Sequence, residues 1–439
     1  MAKIKPFYGY RYNTDIVENL SDVMAPPYDS LSDEQTDSCY DLNPYNAARL
    51  ISQRSYDTDD AHNNCYTRSR DYLQSWIENG VLVKENEKAI YVYEQTITVN
   101  REKYYNRGII ALLELTNYSE GIVVPCEDPS TDSKNDRYRM ISETESNNSL
   151  ISCMYTDGDK RLSAMLTDIS EKDADMSFTT GRGNIENKLW AVTDEKIIAL
   201  AESALADKKM FIVDGHNRYE ACYEYKMHKM KEKGYTGKES FNYVMALISD
   251  SKEDGRVHLP VHRLLHMSKP VNEAYIIAGL QDNFTVEKII VDKLDDDMAS
   301  TIKKQISTQK RQTIFALYTG SDYFYRFKFK GENYLKTVLP DVSEAYRSID
   351  LVILNKLVFE EQMNINPEND ARIEYTRNVH EAMKIVDGGD NYCLFVLNPI
   401  NAWQLEALSK AGERLPKRSV SIFPKPATGI VIHKFTDEV

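Results

Sequence analysis

The chain has 439 residues, 42% of them hydrophobic, with 54 Lys and Arg against 68 Asp and Glu and a formal net charge of -14. That length suits two or three domains of about 150 residues each, and the hydrophobic content argues for packed cores over disorder. The acidic balance argues against a general nucleic-acid binder, and no apolar run is long enough to cross a bilayer.

The N-terminus, MAKIKPFYGYRY, lacks the apolar centre of a signal peptide. Six scattered cysteines without a C-x-x-C pair read as reduced thiols, so a cytoplasmic protein is expected. In VMAPPYDSL two prolines stiffen the backbone and present Tyr28 and Asp29 on a rigid loop, which makes Asp29 a candidate metal ligand. Tyr66, Leu73, Trp76 and Ile77 fall at helical spacing before Gly80, a helix stop. The β-rich segments AIYVYEQTITV and YYNRGIIALLEL flank residues 100–103 and read as a hairpin. GRGN at Gly181 reads as a further hairpin turn.

In VVPCEDPSTDSKNDRYRM, Glu127 and Asp128 follow a strand end, and Asp136 and Arg137 open a helix. Carboxylates so placed can act as a base or bind metal, and a solvated loop is the equal alternative. From Leu189 the order is strand, helix, strand, helix, strand, which implies a mixed α/β layer with connections of the βαβ kind. His258, His262 and His266 stand four apart, but Pro260 among them excludes a helical zinc site. His262 and Arg263 remain phosphate candidates at a strand exit.

A domain boundary is placed near Met267–Pro270, dividing the chain into residues 1–267 and 268–439. Beyond it the helix–strand alternation continues, with an acidic helix start around Asp296. SIFPKPATGIVIH closes the chain as a short strand pair around a proline-rich turn that holds Lys425 as a point charge for phosphate. TGKES lacks the upstream glycine of a Walker A loop, so a P-loop is excluded.

The most informative stretch is FIVDGHNRYEACYEY, residues 211–225, where an apolar strand ends at Asp214 and a helix follows at once. A helix start exposes N–H donors and the positive end of its dipole, which together favour an anion such as phosphate. Gly215 permits close approach, Arg218 adds a guanidinium fork, and Asp214 can accept a proton or hold Mg²⁺. A plain N-cap at Asp214 with a surface salt bridge at Arg218 is the bland alternative.

Several motifs recur together and in order: APPYD from Ala25, NPYNAARL from Asn43, the Glu127 loop with Asp136 and Arg137, DGHNRYEA from Asp214, LPVHRLL from Leu259 and FPKPATG from Phe423. This set resembles the prokaryotic family called domain of unknown function 1015 over nearly the whole chain. The family carries Pro-His-Glu where this chain has Pro125-Cys126-Glu127, and Asp-Gly-His-His-Arg where it has Asn217. More remotely, Asp214-Gly215-His216-Asn217-Arg218 resembles the phosphate-gripping signature of the ParB/sulfiredoxin-like fold, which includes kinases of free serine.

The resemblance implies an α/β, mixed α+β protein with a ParB/sulfiredoxin-like catalytic part and a C-terminal α/β extension. It implies phosphoryl transfer from ATP or ADP, with Mg²⁺, to a small hydroxyl metabolite, serine first. Asp214, His216 and Glu127 would be catalytic, with Gly215, Asn217, Arg218, Arg137, His262, Arg263 and Lys425 around phosphate or nucleotide. A phosphoserine phosphatase and a non-catalytic nucleotide-binding protein are the alternatives. The partners expected are a small substrate and a nucleotide, without nucleic acid or membrane.

Overall fold

The computed structural model describes every residue except 53, 100, 159, 182–183, 292–296, 308–311, 332, 369, 390, 437 and 439. Parts of the hairpin turn at 100–103 and of the GRGN turn, and the acidic helix start around Asp296, therefore lie outside the described residues. The chain forms two compact units. The first comprises Met1–Pro125, Pro129–Val257 and Ile422–Val439, and the second Cys126–Asp128 with His258–Ser421. The division thus falls at 257/258 and not at 267/268, because His262–His266 is already a strand of the second unit's sheet. The last residues return to the first unit.

In the first unit nine strands form one mixed sheet. They are β1 (Ile4–Lys5), β2 (Ile90–Val99), β3 (Glu102–Glu114), β4 (Val123–Pro125), β5 (Ile151–Tyr155), β6 (Met176–Thr180), β7 (Ile185–Val192), β8 (Met210–Asp214) and β9 (Tyr243–Asp250). Their order is β4-β8-β5-β9-β3-β2-β7-β6, with β1 beside β3. β2 and β3 form the expected hairpin, in register from Tyr91 against Ile110 to Val99 against Glu102.

Because side chains alternate across a strand, β2 sends Ile90 and Val92 to one core and Tyr91 and Tyr93 to the other. The first core is covered by α3 (Arg161–Ser170), α4 (Glu195–Leu205) and α5 (His216–Lys229). The second is covered by α1 (Cys65–Glu78), with Leu73 and Trp76, and by Ile430–Ile432 of the tail. α1 ends before Gly80, whose φ of 70° provides the left-handed stop.

Two expectations change here. Strand β5, at the polar-to-apolar junction SNNSLISC, runs antiparallel to β8 and parallel to β9 and separates them, so α5 does not join neighbouring parallel strands as a βαβ crossover would. The tail strand His433–Lys434 pairs with Ser146–Asn147, and Thr428 and Ile432 bridge to Ala25 and Tyr10. The tail is therefore stitched to the first unit at several points and does not fold back on itself as a strand pair.

The second unit is built on a six-stranded antiparallel sheet: β10 (His262–His266), β11 (Phe284–Ile290), β12 (Ile314–Tyr318), β13 (Tyr323–Phe329), β14 (Ile373–Thr376) and β15 (Tyr392–Val396). Their order is β11-β13-β12-β15-β10-β14. Helices α6 (Met298–Ile306) and α7 (Val379–Asp387) bury Ile302, Val379 and Met383 against one face. Phe284, Phe315, Phe327, Phe359 and Phe395 form an aromatic cluster through edge-on and stacked contacts. The architecture is mixed α+β. No helix among the described residues is long and apolar enough to cross a membrane.

Candidate functional site

Asp214 is the last residue of β8, and Gly215 turns the chain with φ 87° and ψ 25° into α5, which opens at His216 without a side-chain cap. The left-handed turn favours glycine, and the packing requires it. A Cβ there would stand 2.9 Å from both Arg218 Nη2 and Ile151 Cγ2.

One helical turn on, Arg218 reaches back and donates from Nη2 to Asp214 Oδ2 at 2.7 Å and from Nη1 to Ser149 Oγ at 2.9 Å. The second Asp214 oxygen meets Lys425 Nζ at 2.6 Å, and the same ammonium pairs with Asp29. Burial pushes the Asp214 carboxyl up, but Lys425 and then Arg218 outweigh it and hold it well below the usual carboxylate range. The centre of the corner is therefore an ionised, mostly buried acid gripped by two cations.

Further residues fix this arrangement. Gln95, fully buried on β2, donates from Nε2 to the Lys425 carbonyl at 3.0 Å and so holds the tail loop in place. Tyr28, from the proline-stiffened loop, lies under both guanidiniums, 4.1 Å from Arg137 and 5.7 Å from Arg218. Arg137 is itself tied to the Ile51 carbonyl at 3.0 Å and to Asp136. Asp214, Arg218, Arg137, Lys425 and Asp29 thus meet in one unit.

The remaining candidates take other places. His216 is buried, and its Nε2 donates to the Ile212 carbonyl at 2.9 Å, so the ring turns back onto β8. Asn217 Oδ1 accepts from the Ser130 N–H at 2.8 Å, where α2 (Thr131–Thr144) begins. Glu127 belongs to the second unit, where one carboxylate oxygen accepts from the N–H groups of Ser419 and Val420 at 2.9 and 3.2 Å.

His262 and Arg263 are not at a surface strand exit but buried inside the second unit. Burial pushes the His262 imidazole down to about 3, and its Nδ1 accepts from the Leu397 N–H. Arg263 donates to the carbonyls of Val261 and Arg418 and packs on the Tyr375 ring. These contacts pair Arg263 within the fold, whereas His262 is paired at Nδ1 alone and its Nε2 is buried without a hydrogen-bond partner. Ser149 and Gln95 were not legible as site residues; the polar run SNNS before β5 is the only local signal for Ser149.

The donor set does not form a ready seat for Mg²⁺. Asp29 and Asp214 already share an ammonium, and among the described residues no group of three or more His, Cys, Asp or Glu side chains is placed to hold a metal.

A family model described as Protein of unknown function (DUF1015) matches residues 4–352. The chain belongs to this family. No curated protein matches this DUF1015 chain. Among solved structures it is similar to a free serine kinase in complex with AMP, at 12% identity and a TM-score of 0.34, covering 71% of this chain and 86% of that one. It is also similar to a conserved hypothetical protein from Pyrococcus furiosus, at 13% identity and a TM-score of 0.33, covering 71% and 90%. A third is SbnI with C-terminal truncation from Staphylococcus aureus, at 9% identity and a TM-score of 0.34, covering 71% and 82%. At such scores the functional reading rests on the geometry of the corner.

Proposed function

We propose that this DUF1015 protein catalyses phosphoryl transfer from a nucleotide to a small hydroxyl metabolite at the Asp214 corner. The observation that supports this most directly is the Asp214 carboxylate, kept ionised between Arg218 and Lys425 at the mouth of α5. Phosphoryl transfer asks a protein mainly for positioning and charge neutralisation. Arg218 and Lys425 would neutralise the transferred group, aided by the N–H donors that open α5. The acceptor oxygen forms the new P–O bond while the bond to the leaving phosphate breaks, and Asp214 orients the hydroxyl and takes its proton. A carboxylate of depressed pKa suits a loose transition state, in which the proton leaves late.

The likeness of Asp214-Gly215-His216-Asn217-Arg218 to the segment of free-serine kinases makes L-serine with ATP or ADP the first combination to test. Product analysis by ³¹P NMR, with Mg²⁺ supplied, should show O-phosphoserine formed from wild type and none from Asp214→Asn, with the variant's folding checked by circular dichroism. Phosphate released from O-phosphoserine without nucleotide would instead establish the phosphatase. Nucleotide bound without turnover of any hydroxyl compound would establish a non-catalytic binding protein.

A further inference from the structure

Arg218 divides its terminal nitrogens between Asp214 and Ser149, and Ser149 lines a small cleft of about 30 Å³ in the first unit. Arg137, Arg218, Ile51, Ser146 and Asn148 line it too, and no acidic side chain does. We propose that this cleft seats a small oxyanion: the carboxylate of the acceptor substrate, or a free phosphate.

Four observations carry the inference. Arg137 and Arg218 are both about nine-tenths buried, where a guanidinium attracts an anion far more strongly than at an exposed site. Each meets its carboxylate partner, Asp136 or Asp214, outside the cleft lining and turns Nη1 toward a neutral acceptor in the lining, the Ile51 carbonyl or Ser149 Oγ. Ser149 Oγ accepts from Arg218, so its own hydroxyl hydrogen remains to be donated. Arg218 Nε is buried without a hydrogen-bond partner, an unspent donor on a side chain that lines the cleft. Cations and donors thus converge on a space with no counter-charge in its lining. Assigning the oxyanion to the acceptor rests on the phosphoryl-transfer reading; the cleft's preference for an oxyanion does not.

Calorimetry on the full chain tests this with orthophosphate, L-serine and L-serinamide, the last lacking the carboxylate. Wild type should bind phosphate, or serine but not serinamide, and the two arms distinguish the source of the anion. Ser149→Leu, which fills the cleft from a half-buried position, and Arg137→Gln should each weaken that binding at least about tenfold while the far-ultraviolet circular dichroism stays that of wild type. If Arg137→Gln fails to fold, Ser149→Leu carries the test alone. Binding of serinamide as tight as that of serine, binding by Ser149→Leu equal to wild type, or no binding of phosphate or serine would each overturn the proposal. Oxyanion binding that survives in a protein without nucleotide turnover would refute the phosphoryl-transfer reading and leave the cleft standing.

Discussion

Replacing Lys425 with methionine withdraws the ammonium that Asp29 and Asp214 share and leaves an unbranched side chain one atom shorter. Asp214 stays mostly buried and keeps Arg218. Removing one partner of a buried ion pair costs about 3–5 kcal/mol when nothing else compensates. A single charge-assisted hydrogen bond to a buried carboxylate contributes about 1.5–3 kcal/mol. With Arg218 still in place, the loss at pH 7 should be about 2–3 kcal/mol. At a urea m-value of about 2–3 kcal/mol per molar, the unfolding midpoint should fall by about 1 M.

The pH dependence follows from the depressed pKa of Asp214. Its pairing stabilises the fold above the unfolded carboxyl pKa of about 3.9, and that contribution disappears as pH falls through the lower folded value. The gap between wild type and Lys425→Met should therefore be full at pH 7 and narrow below about pH 4. Urea unfolding followed by tryptophan fluorescence reads this out, because Trp76 and Trp190 both lie in the cores of the first unit. Equal midpoints at pH 7, or a gap as wide at pH 3 as at pH 7, would refute the reasoning.

Arg218→Ala should weaken binding of phosphorylated ligands by about 1.5–3 kcal/mol, measured by calorimetry, with little change for unphosphorylated ones. Gly215→Ala should destabilise the first unit by about 1–3 kcal/mol, seen as a lower thermal midpoint, since a methyl at φ 87° would press on Arg218 and Ile151. In the second unit, burial pushes the Asp350 carboxyl up to about 7, partly offset by hydrogen bonds from Asn398 and Thr313. The folded state then keeps a proton that the unfolded chain releases near pH 4, so stability falls between about pH 4 and pH 7 by on the order of 4 kcal/mol. Asp350→Asn should flatten that slope and leave the variant more stable than wild type at pH 8; parallel pH profiles of the two proteins would contradict this.

Much of the local structure was legible in the sequence. The alternation across AIYVYEQTITV marked a strand, and YYNRGIIALLEL marked its hairpin partner. The apolar run before Asp214, the glycine and the helical pattern after it located the corner to the residue, because each of those signals is carried by neighbours along the chain. The burial of His262 and Arg263 was not legible in this way. Side-chain chemistry is visible in a sequence, but burial is not, and both prove to be interior residues of the second unit, Arg263 bonded to carbonyls and His262 through Nδ1.

What the sequence could not supply was the identity of neighbours in space. Periodicity shows that one face of a strand is buried, but not which strand lies beside it, so the insertion of β5 between β8 and β9 is decided only by packing. The ammonium of Lys425 meets Asp29, 396 positions earlier in the chain, and Asp214 as well. No local pattern encodes that meeting. It exists because Thr428, Ile432 and His433 stitch the tail to the first unit and Gln95 grips the carbonyl of Lys425. The sequence determined an acid, a glycine and an arginine at a strand-to-helix corner. The tertiary structure decided that a second cation would close on that acid, since only a folded core can hold two distant segments near enough, and dry enough, for their charges to matter.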